Sequence, residues 1–480
     1  MSIRRNTTYN LVGKIIPIGL SLLTIPLYLN TIGESRYGIL AIAWLLLGYF
    51  GLFDLGLGRA TAQRIAVLHD APAKERANTF WTALSLNACF GLVGSFVFLP
   101  IALWFFGNKF QMEESLRPEV LEAVPWLLLA VPMATVSGVL YGALQGREKF
   151  LEINLISVIG TALFQVLPLS VAVLWSVNLT ALLIAALVAR FFTLLALFLR
   201  CRIHVFGGHS YSYTHEQAGG LIRFGGWITV TSFVGPMMVA LDRFFIGALL
   251  GAKSVSYYTV PFQLGTRSTI FASSLVSALF PRFAAATKAE ENRLVKESFQ
   301  TLIVIMTPLT AGGIVLMEPF IAWWIDKEFA QFSAVVGQII LLGFWFNSFA
   351  MIPFVRLQAN GRPDLVAKCH IAELLPYFGL LYLGMKQFGL IGVAIAFSLR
   401  VTLDFILLAG FAKVLVTGLR VMFFPALLLS LILSISVQSG FEWVQYQIIL
   451  LALTVFWSWR QTPIVFREAL AKWFAYRFRH

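Results

Sequence analysis

The chain has 480 residues, of which 59% are hydrophobic and only 12% are charged, with a formal net charge of +13. Soluble domains carry about 25% charged residues, so this composition excludes a soluble globular protein and predicts an integral membrane protein. The positive charge does not indicate nucleic-acid binding, because the basic residues lie in short breaks between apolar runs, as the positive-inside rule describes. Three scattered cysteines give neither a disulfide framework nor a zinc site, and no metal or cofactor is expected.

Residues 10–64 contain two apolar runs joined by the polar segment NTIGESRYG. Each run is about 20 residues long, which is enough to cross a bilayer as a helix. The connection around Gly33 is short, so the two helices are expected to be antiparallel and adjacent. The same layout recurs from Phe224 to Arg282 around GAKSVSYY, which predicts one founding hairpin in each of two halves.

The apolar runs along the whole chain predict an all-α protein with about 14 transmembrane helices of about 20 residues each. The ends of helices 13 and 14 are the least defined, because Val437–Gln447 is a weak break. Lys and Arg number about 26 on one set of alternate loops and about 6 on the other. The richer set is expected in the cytoplasm, together with both termini.

Four landmarks recur in the same order at separations of about 210–219 residues. They include LQGREKF at 144–150 with LQANGRPDL at 357–365, and Arg190 with Arg400. Such repeats predict two pseudo-symmetric six-helix lobes in parallel orientation. The expected domains are an N-lobe (1–204), a cytoplasmic linker (205–218), a C-lobe (219–415), and helices 13 and 14 with a basic cytoplasmic tail (416–480).

Histidines 204, 209 and 215 occur in and beside the linker, and their spacing is not a known ligand pattern, which favours a solvated loop over a metal site. External loops are short, and no Ser/His/Asp set, P-loop or dinucleotide motif is present. These features argue against a membrane polymerase, ligase or other enzyme and indicate a transporter.

Ionisable residues inside apolar runs are costly in hydrocarbon and are therefore candidates for function. Arg267 lies near the middle of the eighth predicted helix with no carboxylate on its own face, which makes it the leading candidate for binding an anion. The remaining candidates inside apolar runs are Lys14, Asp242, Arg243, Arg190, Glu373, Arg400 and Asp404.

Several of these charges have an expected partner. Arg400 and Asp404 are four residues apart, so they share a helix face and are expected to pair. Arg190 is expected to pair with a carboxylate of its own lobe, such as Glu152. Asp54 is expected to cap or pin the end of the second helix, with Arg59 or Arg64 as its partner.

The segments RYGILAIAWLLLGYFGLFDLGLGRATAQRIA, LDRFFIGALLGAKSVSYYTVPFQL and FPRFAA resemble Wzx-type polysaccharide flippases. That family belongs to the MOP superfamily with the multidrug (MATE) exporters and the lipid II flippase. The resemblance implies a MATE-like fold with a V-shaped central cavity lined by helices 1, 2, 7 and 8. It also implies alternating-access transport of undecaprenyl-diphosphate-linked oligosaccharide repeat units from the inner to the outer leaflet of the bacterial plasma membrane, for O-antigen, exopolysaccharide or lipopolysaccharide synthesis.

Within that resemblance, cationic cavity groups that contact the diphosphate correspond best to Arg267, with Lys14 and Arg243 as further candidates. Coupling to H⁺ or Na⁺ is expected at Asp242 or at Arg400 and Asp404, and the resemblance suggests a polysaccharide polymerase and a chain-length regulator as partners. Arg190 and Glu373 are candidates for coupling or structural charge pairs. The alternatives are a lipid II-type flippase, a MATE-type drug or cation antiporter and, less favoured, a polysaccharide polymerase or ligase.

Overall fold

The computed structural model describes residues 3–50, 54, 56–221, 238, 241–439 and 444–461, with side chains from residue 19 onward apart from those of residues 439, 444, 459 and 461. Over these residues the structure contains helices and no strand, which confirms the all-α prediction. The helices are α1 (Ile3–Tyr49), α2 (Leu57–Val67), α3 (Ala73–Asn108), α4 (Arg117–Gly146), α5 (Phe150–Leu174), α6 (Leu179–Cys201), α7 (Ala252–Ser268), α8 (Ile270–Ala285), α9 (Lys288–Trp324), α10 (Lys327–Ala359), α11 (Pro363–Phe411), α12 (Leu415–Ser439) and α13 (Val444–Gln461).

Two of these helical segments contain a reversal of the chain at a glycine. In α1, the rings of Tyr28 and Trp44 are 5.0 Å apart, whereas 16 residues of continuous helix would separate them by about 24 Å. The chain turns at Gly33, whose φ of 78° lies in the left-handed region that favours glycine. This is the short antiparallel hairpin that the sequence predicts.

The second reversal divides α11 at Gly389, which has a φ of 56°. Gly384 and Gly392 lie on the two arms, and a Cβ on Gly392 would overlap the carbonyl oxygen of Gly384. Only glycines allow the backbones to approach this closely. The arms before and after Gly389 are therefore two packed antiparallel helices.

Within the described residues, eight helical segments are long and apolar enough to cross a membrane, and the bent pair α7–α8 adds a ninth candidate. One of the eight is α11, which counts twice because it reverses at Gly389. The chain is therefore a multi-pass membrane protein. The count of about 14 stays a prediction, because residues 222–237, 239–240 and 440–443 lie outside the described part.

The chain divides into two compact units, Met1–Ser256 and Tyr257–His480. In the first unit α3 packs on α4, α5 on α6, and α2 on α4; in the second, α10 packs on α9 and on α11, and α9 contacts α12 and α13. Residues 241–256 group with the first unit, where the Gln111 N–H donates to the Gly247 carbonyl oxygen at 2.9 Å. The predicted domain boundaries stay a prediction.

Residues 207–214, here called the linker strap, run along α3. Trp81 Nε1 donates to the His209 carbonyl oxygen at 3.3 Å, Ser212 Oγ donates to Asn78 Oδ1 at 2.6 Å, and the Thr214 N–H donates to Thr82 Oγ1 at 3.1 Å. These contacts bind the strap to the first unit.

The matched motifs of the two halves form the same turn. In the first, the Lys149 N–H donates to the Leu144 carbonyl oxygen at 3.0 Å; in the second, the Arg362 N–H donates to the Leu357 carbonyl oxygen at 2.9 Å. Each turn contains one residue with positive φ, Glu148 at 57° and Gly361 at 70°. The sequence repeat is therefore also a structural repeat at these two turns.

Candidate functional site

The first unit contains a partly open cavity of about 250 Å³, here called the Arg190 cavity. Arg190 lies midway along α6, and the other walls come from the second arm of α1, α4 and α5. The polar side chains of the lining are Ser137, Tyr141, Ser157, Thr161, Arg190 and Thr193. None of the lining residues in the described part of the chain is acidic, so this lining is polar and cationic.

Aromatic rings form part of the same wall. Trp44 and Phe164 both line the cavity, and their rings are 6.0 Å apart. Trp44 Nε1 is buried and has no hydrogen-bond partner among the described residues. A buried indole N–H normally finds an acceptor, so this donor is available to a ligand.

The expected pairing of Arg190 with Glu152 is wrong. Glu152 instead accepts from Arg200 Nε at 2.7 Å and lies 3.1 Å from His204 Nε2. Glu152 is the third residue of α5, so it faces the end of α6, whereas Arg190 lies about ten residues, or about 15 Å, further along that helix. Arg190 Nη1 donates to the Leu47 carbonyl oxygen at 3.3 Å, and no carboxylate pairs with Arg190 in the part of the chain that the structure describes.

Arg267 lies in the second unit, on a larger cavity of about 630 Å³, here called the Arg267 groove. The groove is formed by α7, α8, α9 and α10, and its lining is mainly apolar. The side chains beside Arg267 include Leu264, Phe271, Leu309, Leu316 and Trp323. The arrangement places one guanidinium group at the edge of a hydrocarbon-like surface.

A bend lies directly beside Arg267. The helices α7 and α8 meet at Thr269 with an angle of 42°. The sequence predicts kinks at prolines, including Pro17, Pro26, Pro236, Pro261 and Pro308; Pro261 lies within α7 and Pro308 within α9, and kinks at these prolines stay a prediction. Pro236 lies outside the described residues.

The two arms of α11 bring four ionisable residues together in the second unit. Arg400 Nη1 is 3.9 Å from Glu373 Oε2, and His370 Nε2 is 3.4 Å from Asp404 Oδ1. The guanidinium of Arg400 also lies 5.4 Å from the centre of the Tyr377 ring. Glu373 and Asp404 are only 1% and 8% exposed. We call these four charged or titratable residues the charged cluster.

The charged cluster corrects the expectation of a self-contained Arg400–Asp404 pair within one helix. The observed ion pairs cross the hairpin at Gly389 and join residues of the second arm to residues of the first. At 3.9 Å the Arg400–Glu373 contact is an ion pair but too long for a hydrogen bond. Removing either residue of this pair leaves the other charge buried.

The remaining candidates are in three other places. Asp242 and Arg243 form a buried ion pair, with Arg243 Nη1 2.8 Å from Asp242 Oδ1, in the first unit. Lys14 is in α1, but its side chain lies outside the described residues. Asp54 accepts hydrogen bonds from the backbone N–H groups of Gly56 at 2.7 Å and Gly58 at 3.2 Å, at the start of α2 and not at the end of the preceding membrane helix.

The hydroxyl lining of the Arg190 cavity was not found from the sequence. Serine and threonine occur in almost every apolar run, and nothing in their spacing shows which of them face one point. The repeat contains a signal for this cavity, because the residues of the first half that match the charged cluster of the second half line it or lie beside Arg190. Gly160, Ser157 and Leu194 correspond to Glu373, His370 and Asp404 by offsets of 213, 213 and 210 residues.

Solved structures with the same fold are MATE transporters of the MOP superfamily. An inward-facing multidrug MATE transporter aligns with a TM-score of 0.71 and 16% identity over 85% of this chain and 98% of that chain. An outward-facing one aligns with a TM-score of 0.56 and 18% identity over 85% of this chain and 94% of that chain. The fold is therefore that of a MATE-like transporter.

The sequence comparisons give the family. A family model described as "Polysaccharide biosynthesis protein" matches residues 3–287. A candidate O-antigen transporter from Shigella flexneri is 30% identical over 85% of this chain and 97% of its own length. The lipopolysaccharide biosynthesis protein WzxC from Escherichia coli is 22% identical over 83% of this chain and 79% of its own length. The chain belongs to the polysaccharide biosynthesis protein family, as a Wzx-type transporter and not an enzyme.

Proposed function

We propose that this chain is a flippase that moves an undecaprenyl-diphosphate-linked oligosaccharide from the inner to the outer leaflet of the bacterial plasma membrane, for surface polysaccharide synthesis. The transport proceeds by alternating access, with both termini in the cytoplasm. The observation that carries the proposal is the Arg267 groove, in which a guanidinium group borders an apolar surface beside the bend between α7 and α8.

A lipid-linked sugar diphosphate has an anionic group joined to a long hydrocarbon chain. Guanidinium groups bind phosphate oxygens in a bidentate manner, which suits Arg267 to the diphosphate. The apolar side chains beside it, including Leu316 and Trp323, suit the first part of the polyprenyl chain. An organic cation, as carried by a drug antiporter, would be repelled by the same arginine.

The charged cluster is the proposed place for coupling to H⁺ or Na⁺. Glu373 and Asp404 are buried carboxylates in a membrane helix pair, which is the setting in which proton relays and cation sites are found. Their neighbours Arg400 and His370 would change partners when a carboxylate takes up a cation. Asp242, paired with Arg243, is the second candidate for this role.

The test follows lipid-linked oligosaccharide in a strain that lacks the protein. Membrane sidedness is measured by the access of an added glycan-modifying enzyme. We expect intact repeat units to accumulate on the cytoplasmic face and to be cleared by the wild-type gene but not by Arg267→Ala. The matched control is Arg282→Ala, because Arg282 is exposed on α8 and does not line the groove.

Other outcomes would contradict the proposal in distinct ways. Repeat units that reach the outer face without being polymerised would indicate a polymerase or ligase. An unchanged level of lipid-linked sugar, together with altered drug resistance, would indicate a drug exporter. Loss of viability with accumulated lipid II would indicate the lipid II-type flippase.

A further inference from the structure

We infer that the Arg190 cavity is a sugar-binding pocket, which receives one pyranose ring that carries a carboxylate. This inference rests on the proposed function, because it names a part of the oligosaccharide that the transporter would recognise. It depends on three features of the cavity: its size, its uncompensated cation and its mixture of hydroxyl groups and aromatic rings.

The size suits one ring and not a chain of sugars. The cavity holds about 250 Å³, below the about 300–1,000 Å³ typical of pockets for drug-sized ligands. Its walls come from four helical segments of a single unit, all in the first 256 residues. A longer glycan would have to leave most of its rings outside this pocket.

The positive charge of Arg190 indicates an anionic ligand. A guanidinium group has five N–H donors, and its charge is stabilised in a low-dielectric site by a carboxylate or phosphate. For Arg190, the structure gives one acceptor, the Leu47 carbonyl oxygen, and no carboxylate partner among the described residues. The carboxylate of a sugar acid would supply the missing negative charge with matching planar geometry.

The repeat shows how this open position arises. In the second unit, the counterpart of Arg190 is Arg400, and its Nη1 lies 3.9 Å from Glu373 Oε2. The residue that corresponds to Glu373 in the first unit, 213 positions earlier, is Gly160. Gly160 lines the cavity, and a Cβ at this position would lie only 2.5 Å from Thr193 Oγ1, so the first unit has neither a carboxylate nor room for one where the second has Glu373.

The remaining wall suits the rest of a sugar. The Ser137 and Thr161 hydroxyl groups donate to the backbone carbonyl oxygens of Ala134 and Ser157, and the hydroxyl oxygens of Ser137, Ser157 and Thr161 can accept from sugar hydroxyls. The Trp44 Nε1 donor, which is buried and unpartnered among the described residues, needs an acceptor oxygen. The face of the Phe164 ring gives an apolar surface for the ring carbons. A diphosphate with its polyprenyl chain would leave these hydroxyl groups without matched partners.

The experiment measures binding by calorimetry to the purified full-length protein in detergent. The probes are D-glucuronate, D-glucose and inorganic pyrophosphate. We expect D-glucuronate to bind in preference to both others, Arg190→Gln to weaken its binding at least tenfold, and Arg202→Gln to leave it unchanged. Arg202 is an exposed residue just after α6, which makes it the matched control.

A second variant guards against misfolding of Arg190→Gln. Thr161→Leu fills the cavity while it keeps the arginine, and it should also weaken D-glucuronate binding at least tenfold. The inference is overturned if D-glucuronate does not bind, if glucose binds equally well, if pyrophosphate binds better, or if both cavity variants bind D-glucuronate as the wild type does.

The result is separable from that of the proposed function. Calorimetry on the isolated protein requires no transport, and Arg267→Ala should retain D-glucuronate binding while it fails to clear repeat units in cells. Normal flipping by an Arg267→Ala protein would contradict the role of Arg267 without affecting the sugar pocket. Conversely, if the protein clears repeat units but does not bind D-glucuronate, the result contradicts only the inference of a sugar-binding pocket.

Discussion

Arg190 and Arg400 are matched positions of the two repeats, yet their surroundings are opposite. Arg190 faces a polar cavity and donates to a backbone carbonyl oxygen at 3.3 Å. Arg400 faces Glu373 at 3.9 Å and lies over the ring of Tyr377. The aromatic position is shared, because Phe164 lies 213 residues before Tyr377; the carboxylate position is not.

This difference suggests how a duplicated helix bundle acquires two uses for one residue. A buried arginine is costly in both copies, and each copy compensates for that cost in its own way. The second unit supplies an internal carboxylate, which makes the arginine part of the scaffold or of coupling. The first unit keeps Gly160 and hydroxyl groups around the cation, which leaves an anion from outside as the partner.

The largest expected effect is on stability in the second unit. Arg400→Met leaves Glu373 buried without its cation, and we expect the free energy of unfolding in detergent to fall by about 3–5 kcal/mol. The matched variant Arg190→Met breaks no ion pair among the described residues and should cost about 1 kcal/mol. Equal losses for the two variants would show that the two arginines do not differ as described.

A double variant tests whether the Arg400 loss comes from the stranded carboxylate. Adding Glu373→Leu to Arg400→Met removes the buried charge, so the double variant should recover about 1–3 kcal/mol relative to Arg400→Met alone. Reversible denaturation of the four proteins of the cycle measures this coupling. An additive result would place the cost elsewhere, for example in the contact with Tyr377.

Introducing a carboxylate into the first unit should make it resemble the second. Leu194 corresponds to Asp404 and lines the Arg190 cavity. It is four residues after Arg190, so Leu194→Asp places a carboxylate on the same helix face. We expect D-glucuronate binding to weaken about tenfold, or about 1.4 kcal/mol. Leu194→Asn has a similar shape without the charge and should bind more tightly than Leu194→Asp; equal affinities would rule out charge compensation.

The smallest effect concerns the matched turns. Glu148 has a positive φ of 57°, which is strained for a residue with a Cβ, whereas Gly361 occupies the corresponding position at 70°. Glu148→Gly should therefore raise the free energy of unfolding by about 0.5–1 kcal/mol, and Gly361→Ala should lower it by about 1 kcal/mol. Thermal or chemical denaturation in detergent measures both changes. Changes of the same sign in both variants would contradict the equivalence of the two turns.

Much of the fold follows from the sequence because hydrocarbon imposes simple rules. Apolar runs of membrane length predict helices, and the short segment at Gly33 leaves room only for a reversal. The repeat also predicts that Arg190 and Arg400 are equivalent. The sequence does not predict the rotation of each helix about its axis. That rotation decides whether a polar side chain, such as that of Ser157 or Thr161, faces a cavity or faces lipid.

The two expected ion pairs of Arg190 and Arg400 were wrong for a related reason: the sequence does not show which helix faces meet. Glu152 belongs to the same lobe as Arg190, which led to the expected pair. The antiparallel packing of α5 and α6 brings Glu152 to Arg200 instead. The Arg400–Asp404 spacing favours a contact within one helix, whereas the reversal at Gly389 brings in Glu373 and His370. Spacing along a helix indicates which residues share a face, but not which neighbour that face meets.

The linker strap has a practical consequence for work on this protein. Because its backbone and side chains bond to Trp81, Asn78 and Thr82 of α3, it is an ordered part of the first unit and not a free tether. An affinity tag, a protease site or a gene split introduced between residues 207 and 214 would remove those bonds.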